Sequence, residues 1–197
     1  MTYSTFFLRY NKLELIFTFQ IYINLFRVWQ HLLDYIYLYI LYQMRIVSID
    51  VGLRNFGYAI IEDKTLIDFG SICIWDLVPK KKRTDYPYIA RVLVDKTNIF
   101  DGVDCVLIER QMQSRMKMIA CALRCFFWEK SHMVAPISVR KYFKISTGVY
   151  KQNKKASIEL APKFLNEEQL KKFKCHKKKD DCADALLQGL YWIKIKN

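Results

Sequence analysis

The stretch MRIVSIDVGLRNFGYAIIE, residues 44–62, decides how the rest of the chain is read. A largely apolar run, Ile46-Val47-Ser48-Ile49, ends in a lone aspartate, Asp50, followed by Gly52 and then Gly57. A β-rich run bounded by glycine and asparagine reads as a strand over 45–51, a tight turn and a second strand over 57–62. Asp50 then stands where a buried strand meets solvent, which suits a reacting carboxylate. The plainer alternative is an aspartate that hydrogen-bonds the backbone of its own turn.

Working outward, Asp63-Lys64 reads as a turn and Leu66 to Trp75 as a third strand, completing an antiparallel meander. A basic loop, Lys80 to Arg83, follows, then a helix over 87–100. The segment 104–109, DCVLIE, is a short buried strand that again ends in a carboxylate, Glu109. Met112, Met116, Ile119, Leu123 and Phe126 recur at helical spacing and predict the apolar face of a helix running to about Lys130. HMVAP, 132–136, reads as a fifth strand closed by Pro136. Short helical pieces occupy 137–179, and a last helix runs from Asp181 to about Trp192 with Ala183, Leu186, Leu187 and Leu190 inward. Three antiparallel strands followed by alternating helices and strands predict an α/β fold, a five-stranded mixed sheet flanked by helices.

The first 43 residues differ in kind. They hold 13 of the 30 aromatic residues, no Gly or Pro, and as fixed charges only Arg9, Lys12, Glu14, Arg27 and Asp34. Their longest uncharged runs are shorter than the roughly 18–20 apolar residues of a membrane-spanning helix. Neither a signal-peptide cleavage site nor a mitochondrial presequence is evident. Three readings stay open for 1–43: an interfacial or partner-binding helix, a helical add-on, or codons upstream of a true start at Met44. Residues 44–197 are expected to form one domain.

Without this extension the chain keeps 29 basic against 17 acidic residues, and the whole chain carries +13. Such an excess points to a polyanion, nucleic acid or an anionic membrane surface. The six cysteines lack paired spacing and read as thiols in a reducing, intracellular setting. Cys175, His176 and Cys182 lack the fourth ligand of a structural zinc site.

Asp50 and Glu109 both end apolar strands, and strands one and four lying side by side would bring them to one sheet edge. Asp181 and Asp184, three apart on a helix, project from nearly the same side. Four converging carboxylates demand a counterion. Mg²⁺, for which Mn²⁺ would substitute, takes oxygen ligands, and two such ions can clamp a phosphate and activate water. Singly, each acid has a structural alternative: Asp181 as a helix cap and Asp184 as a solvated side chain.

IDVGLRNFGY, LIERQ, VAPISVRKYF, KKASI and DDCADAL occur in an order and spacing that resemble the RuvC superfamily of Holliday-junction resolvases over 44–192. IERQMQSR is closer to the fungal mitochondrial and poxvirus-type branch. The resemblance implies an RNase H-like fold, a homodimer and paired Mg²⁺-dependent nicks in a four-way DNA junction. It makes Asp50, Glu109, Asp181 and Asp184 the metal-holding catalytic residues and places Lys154 near the scissile phosphate, with Lys155 as the adjacent alternative. Asp180 stands beside the motif, but the three-residue step to Asp184 favours Asp181. Bacterial members carry a stacking aromatic three residues beyond the glutamate; here that position is Met112.

Arg110, Gln111, Arg115, Arg140, Lys141, Lys151, Lys155, Lys177, Lys178 and Lys179 are expected along the DNA path. The alternative for each is a solvated surface. The expected function is a structure-selective endonuclease acting in recombination, repair or replication, with no small-molecule substrate and no membrane partner. A DNA virus, working at a cytoplasmic replication site or carried in the virion, fits better than a mitochondrion. Competing readings are an RNase H-type or general branched-DNA nuclease, and a non-catalytic basic DNA-binding protein. An actin-like ATPase would need a second domain and a second glycine-rich loop, for which there is no room.

Overall fold

The computed structural model describes residues 20–33 and 44–196, and the chain divides into two units, Met1–Gln43 and Met44–Asn197. In the first, residues 20–33 are helical and expose Ile21, Tyr22, Leu25, Phe26, Val28, Trp29, Leu32 and Leu33. Among the described residues no helix is long and apolar enough to cross a membrane.

The second unit is built on five strands: β1 (Arg45–Val51), β2 (Asn55–Glu62), β3 (Thr65–Cys73), β4 (Cys105–Glu109) and β5 (Ser131–Val134). Their order is β3-β2-β1-β4-β5, with β1 central. β1–β2 and β2–β3 are antiparallel, whereas β1–β4 and β4–β5 are parallel. This is the expected mixed sheet. The β2–β3 hairpin turns through Asp63 and Lys64, both at positive φ (47° and 69°), the backbone a two-residue turn of this hand requires.

Side-chain alternation divides β1 between two layers. Val47, Ile49 and Val51 join Val106 and Ile108 of β4 in the larger core. That core is covered by α1 (Tyr86–Lys96) and α2 (Ser114–Phe126) through Ile89, Leu93, Ile119 and Leu123. Ile46 and Ser48 face the other way, as do Cys105 and Leu107. Period two therefore sends Asp50 and Glu109 to that second face, where the last helix lies. α3 (Pro136–Tyr142), α4 (Tyr150–Leu160), α5 (Glu167–Cys175) and α6 (Lys179–Lys196) make up that layer. Asp85 caps α1 by accepting from the Tyr88 amide at 3.2 Å, and Asn166 with Gln169 forms a capping box on α5.

Several boundaries differ from expectation. β3 stops at Cys73, and Ile74–Leu77 turns helical because the buried Ile74 donates its amide to the Arg54 carbonyl at 2.7 Å. The basic loop holds a 3₁₀ turn, Lys80–Lys82. The helix expected over 87–100 ends at Lys96, since Thr97 is extended, and a 3₁₀ turn follows at Asn98–Phe100. Met112 precedes α2 rather than opening its apolar face: Gln113 is extended, Met112 is 83% exposed, and Phe126 is 43% exposed. Pro136 does not close the fifth strand but starts α3, where its missing N–H costs nothing.

Candidate active site

Ile49 of β1 pairs with Ile108 of β4 in parallel register. One residue on, Asp50 and Glu109 are therefore neighbours at the carboxyl edge of the sheet, on strands about 4.8 Å apart. Gln111, just beyond β4 and 6% exposed, donates through Nε2 to Asp50 Oδ1 and Glu109 Oε2, both at 3.2 Å.

α6 supplies the opposing wall. Asp181, Asp184 and Gln188 share one face at steps of three and four. Gln188, 3% exposed, donates through Nε2 to Ser48 Oγ at 3.1 Å and to the Ile49 and Leu107 carbonyls at 3.2 Å. This buried amide pins the helix to β1 and β4 directly beneath the carboxylates. Gly189 permits the approach, since a Cβ there would come 2.6 Å from Ile61 Cδ1 and 3.3 Å from Ser48 Cβ.

α4 closes the side. Tyr150, Asn153 and Lys154 line the cleft, and Ser157, one turn further, hydrogen-bonds Asp184. Lys154 Nζ lies 2.5 Å from Asp180 Oδ2 and 4.0 Å from Asp181 Oδ1. The cleft, 480 Å³, is lined by Asp50, Glu109, Asp181 and Asp184 together with Arg110, Gln111, Arg140 and Lys154. Met112, Met116 and Leu53 give it an apolar rim.

Electrostatics follow from crowding acids at a dry sheet edge. Burial, then the neighbouring Glu109, pushes Asp50 well above the usual carboxylate range. Burial and the charges of Asp180 and Asp50 raise Asp181 to about 6. Burial and Asp50 raise Asp184 to about 7, against the Ser157 hydrogen bond and the charges of Lys154 and Arg140. For Lys154 burial works against the charge, but the hydrogen bond and charge of Asp180 prevail and hold its pKa above the ordinary value. The same pair keeps Asp180 low despite its burial.

The four predicted carboxylates thus line one cleft, yet no three His, Cys, Asp or Glu side chains are gathered into a metal-holding cluster among the described residues. The Gln111 amide bridges two of the acids, Asp50 and Glu109. The donor set fits a hard divalent cation: oxygen ligands only, three of them held uneasily as anions.

The residues expected on the DNA path are dispersed. Arg110 and Arg140 line the cleft; Gln111 does too, but is buried with its amide spent on the carboxylates. Lys177 and Lys178 line a separate depression with Arg54, Asn55 and His176. Arg115, Lys141, Lys151 and Lys155 are exposed, Lys179 is half-buried, and none of these lines the cleft. Arg54, Ser157 and Gln188 did not stand out in the sequence. The only hints were their spacings: Ser157 three beyond Lys154, and Gln188 seven beyond Asp181.

A mixed five-stranded sheet with acids at the ends of its first and fourth strands and on its last helix is the arrangement expected of an RNase H-like fold. The chain belongs to the poxvirus A22 protein family, whose sequence profile matches residues 44–197. The fold is similar to fowlpox virus resolvase, solved with substrate Holliday junction DNA, at 23% identity and a TM-score of 0.56, covering 78% of this chain and 99% of that one. The yeast mitochondrial Holliday junction resolvase Ydc2 matches at 20% identity and a TM-score of 0.58, over 77% of this chain and 80% of that one. Thermus thermophilus RuvC matches at 15% identity and 0.50, over 78% and 97%. A comparison with curated proteins finds no match.

Proposed function

We propose that the protein is a Holliday-junction endonuclease of poxvirus type, nicking the two opposed strands of a four-way DNA junction symmetrically as a homodimer. The observation that carries this reading is the parallel register that sets Asp50 beside Glu109 at the sheet edge, facing Asp181 and Asp184 across one cleft.

In this reading Asp50, Glu109, Asp181 and Asp184 hold two Mg²⁺ ions, for which Mn²⁺ substitutes. Bound there, divalent cations would supply water activation and charge neutralisation at the phosphate; departure of the 3′ oxygen leaves a 5′-phosphate at the nick. Lys154, at the cleft wall beside Asp181, brings its ammonium to the phosphate undergoing attack. Arg110 and Arg140 bind flanking phosphates from the cleft, and Lys177 and Lys178 extend the track beyond it with Arg54. Gln111 aligns the two strand-end carboxylates. Met112, exposed at the rim, presses an apolar side chain against a base opened at the crossover. Residues 44–197 form the resolvase domain, and its working place is the site of viral DNA replication in the host cytoplasm.

The test compares an immobile four-way junction with a linear duplex and an RNA/DNA hybrid of the same sequence. Paired nicks confined to the junction support the reading. Equal cutting of duplex or hybrid would make the protein a general nuclease on this fold, and binding without cutting would make it a DNA-binding protein.

A further inference from the structure

Asp180 lies next to the acidic pair, yet it is absent from the cleft lining that includes Asp181 and Asp184. It has a partner of its own. Lys154 Nζ is hydrogen-bonded to Asp180 Oδ2 at 2.5 Å and stands 4.0 Å from Asp181 Oδ1, with the two side chains of the bonded pair 29% and 22% exposed. The ammonium also lies 5.4 Å from the ring centre of Tyr150, one turn back on α4. A single cation is thus shared unequally by two consecutive acids, one outside the cleft and one within it.

A lysine ammonium is a compact charge on a flexible stem, and it moves to whatever anion is nearest. Freed from Asp180, it has Asp181 as the next carboxylate within reach. There it would neutralise an oxygen that a divalent cation needs. Held by Asp180, it stays at the wall, charged, beside the cleft.

We propose that Asp180 is a positioning residue: it draws the Lys154 ammonium outward, off Asp181, so that Asp181 remains free for a divalent cation while Lys154 stays poised for the phosphate. This rests on the assignment of Asp181 to cation binding made above. It also gives the two adjacent aspartates opposite tasks, one toward lysine and one toward metal.

The test is a double-mutant cycle read by calorimetric titration of Mn²⁺ into the full chain without DNA, using the native protein, Asp180→Asn, Lys154→Met and the double variant. With Lys154 present, Asp180→Asn should weaken binding by roughly tenfold, the scale of one partly screened ion pair at about 4 Å. With Lys154 replaced by Met, the same Asp180→Asn change should matter by less than about threefold, and Asp180→Glu should restore native affinity. A merely structural or long-range role of Asp180 would weaken both backgrounds alike, and that result would overturn the inference. So would an Asp180→Asn protein that binds Mn²⁺ like the native one; the nuclease reading would survive in either case. A native protein that neither binds Mn²⁺ nor cuts junctions would overturn both.

Discussion

Gly57 of β2 lies directly against Asp181 of α6: a Cβ on Gly57 would stand 2.3 Å from the Asp181 carbonyl oxygen and 3.1 Å from its Cβ. Asp50 is the β1 partner of Gly57, so one glycine lets the acidic end of the helix settle beside the acidic end of the strand. The contact is with helix backbone, which cannot swing aside. Gly57→Ala should therefore displace the start of α6, destabilising the protein by about 1–3 kcal/mol. Cleavage should fall by more than the loss of folded protein explains. Thermal unfolding and single-turnover cleavage on the same sample separate the two effects.

The raised carboxylates fix the pH dependence of the metal-free protein. Asp181 and Asp184 move from 3.8 up to about 6 and about 7, so the folded state prefers them protonated. The stability this gives is full below the unfolded value near 3.8 and is lost as pH rises through 6 to 7. For Asp181 alone it is on the order of 3 kcal/mol. In EDTA the Tm should fall between about pH 4 and about pH 7. Mg²⁺ should restore it most at the alkaline end, because the anions are then formed and paired. Asp184→Asn should flatten the profile.

The two protons of the buried Gln188 amide are shared among three acceptors, Ser48 Oγ and the Ile49 and Leu107 carbonyls, linking α6 to β1 and β4. Gln188→Leu fills a similar volume but leaves a buried hydroxyl and two carbonyls short of a donor, costing about 1–3 kcal/mol. Chemical denaturation should show this loss. Gln188→Glu should be worse than Leu, since it sets a carboxylate against the same acceptors.

Much of the sheet was legible in the sequence because apolar runs ending in Asp50 and Glu109 and the Asp63-Lys64 turn are local signals. The helix face beginning at Met112 misled because its spacing continues past the point where Gln113 turns extended. Spacing alone does not show where backbone hydrogen bonding begins. The placement of Gln111 depends on Asp50, 61 residues away, and that of Lys177 and Lys178 on Arg54 in the β1–β2 turn. Such pairings arise only when distant segments meet. Asp180 and Asp181 are alike in sequence and differ in which face of α6 each occupies.

Protein beginning at Met44 should keep the full junction-cutting activity, because the A22 family match starts there and the acids that line the cleft all follow it. A comparison of turnover between this form and the full chain checks it. A loss greater than about tenfold would assign residues 1–43 a part in catalysis or dimer formation.

Cleavage of an immobile four-way junction in Mg²⁺ and in EDTA, by the native protein and by Glu109→Gln, tests most directly whether the four acids carry a nuclease. Paired, 5′-phosphorylated nicks from the native protein in Mg²⁺ alone, with junction binding retained and cutting reduced by at least about a thousandfold in the variant, are the expected result. Undiminished cutting by Glu109→Gln, or native cutting that persists in EDTA, would contradict it.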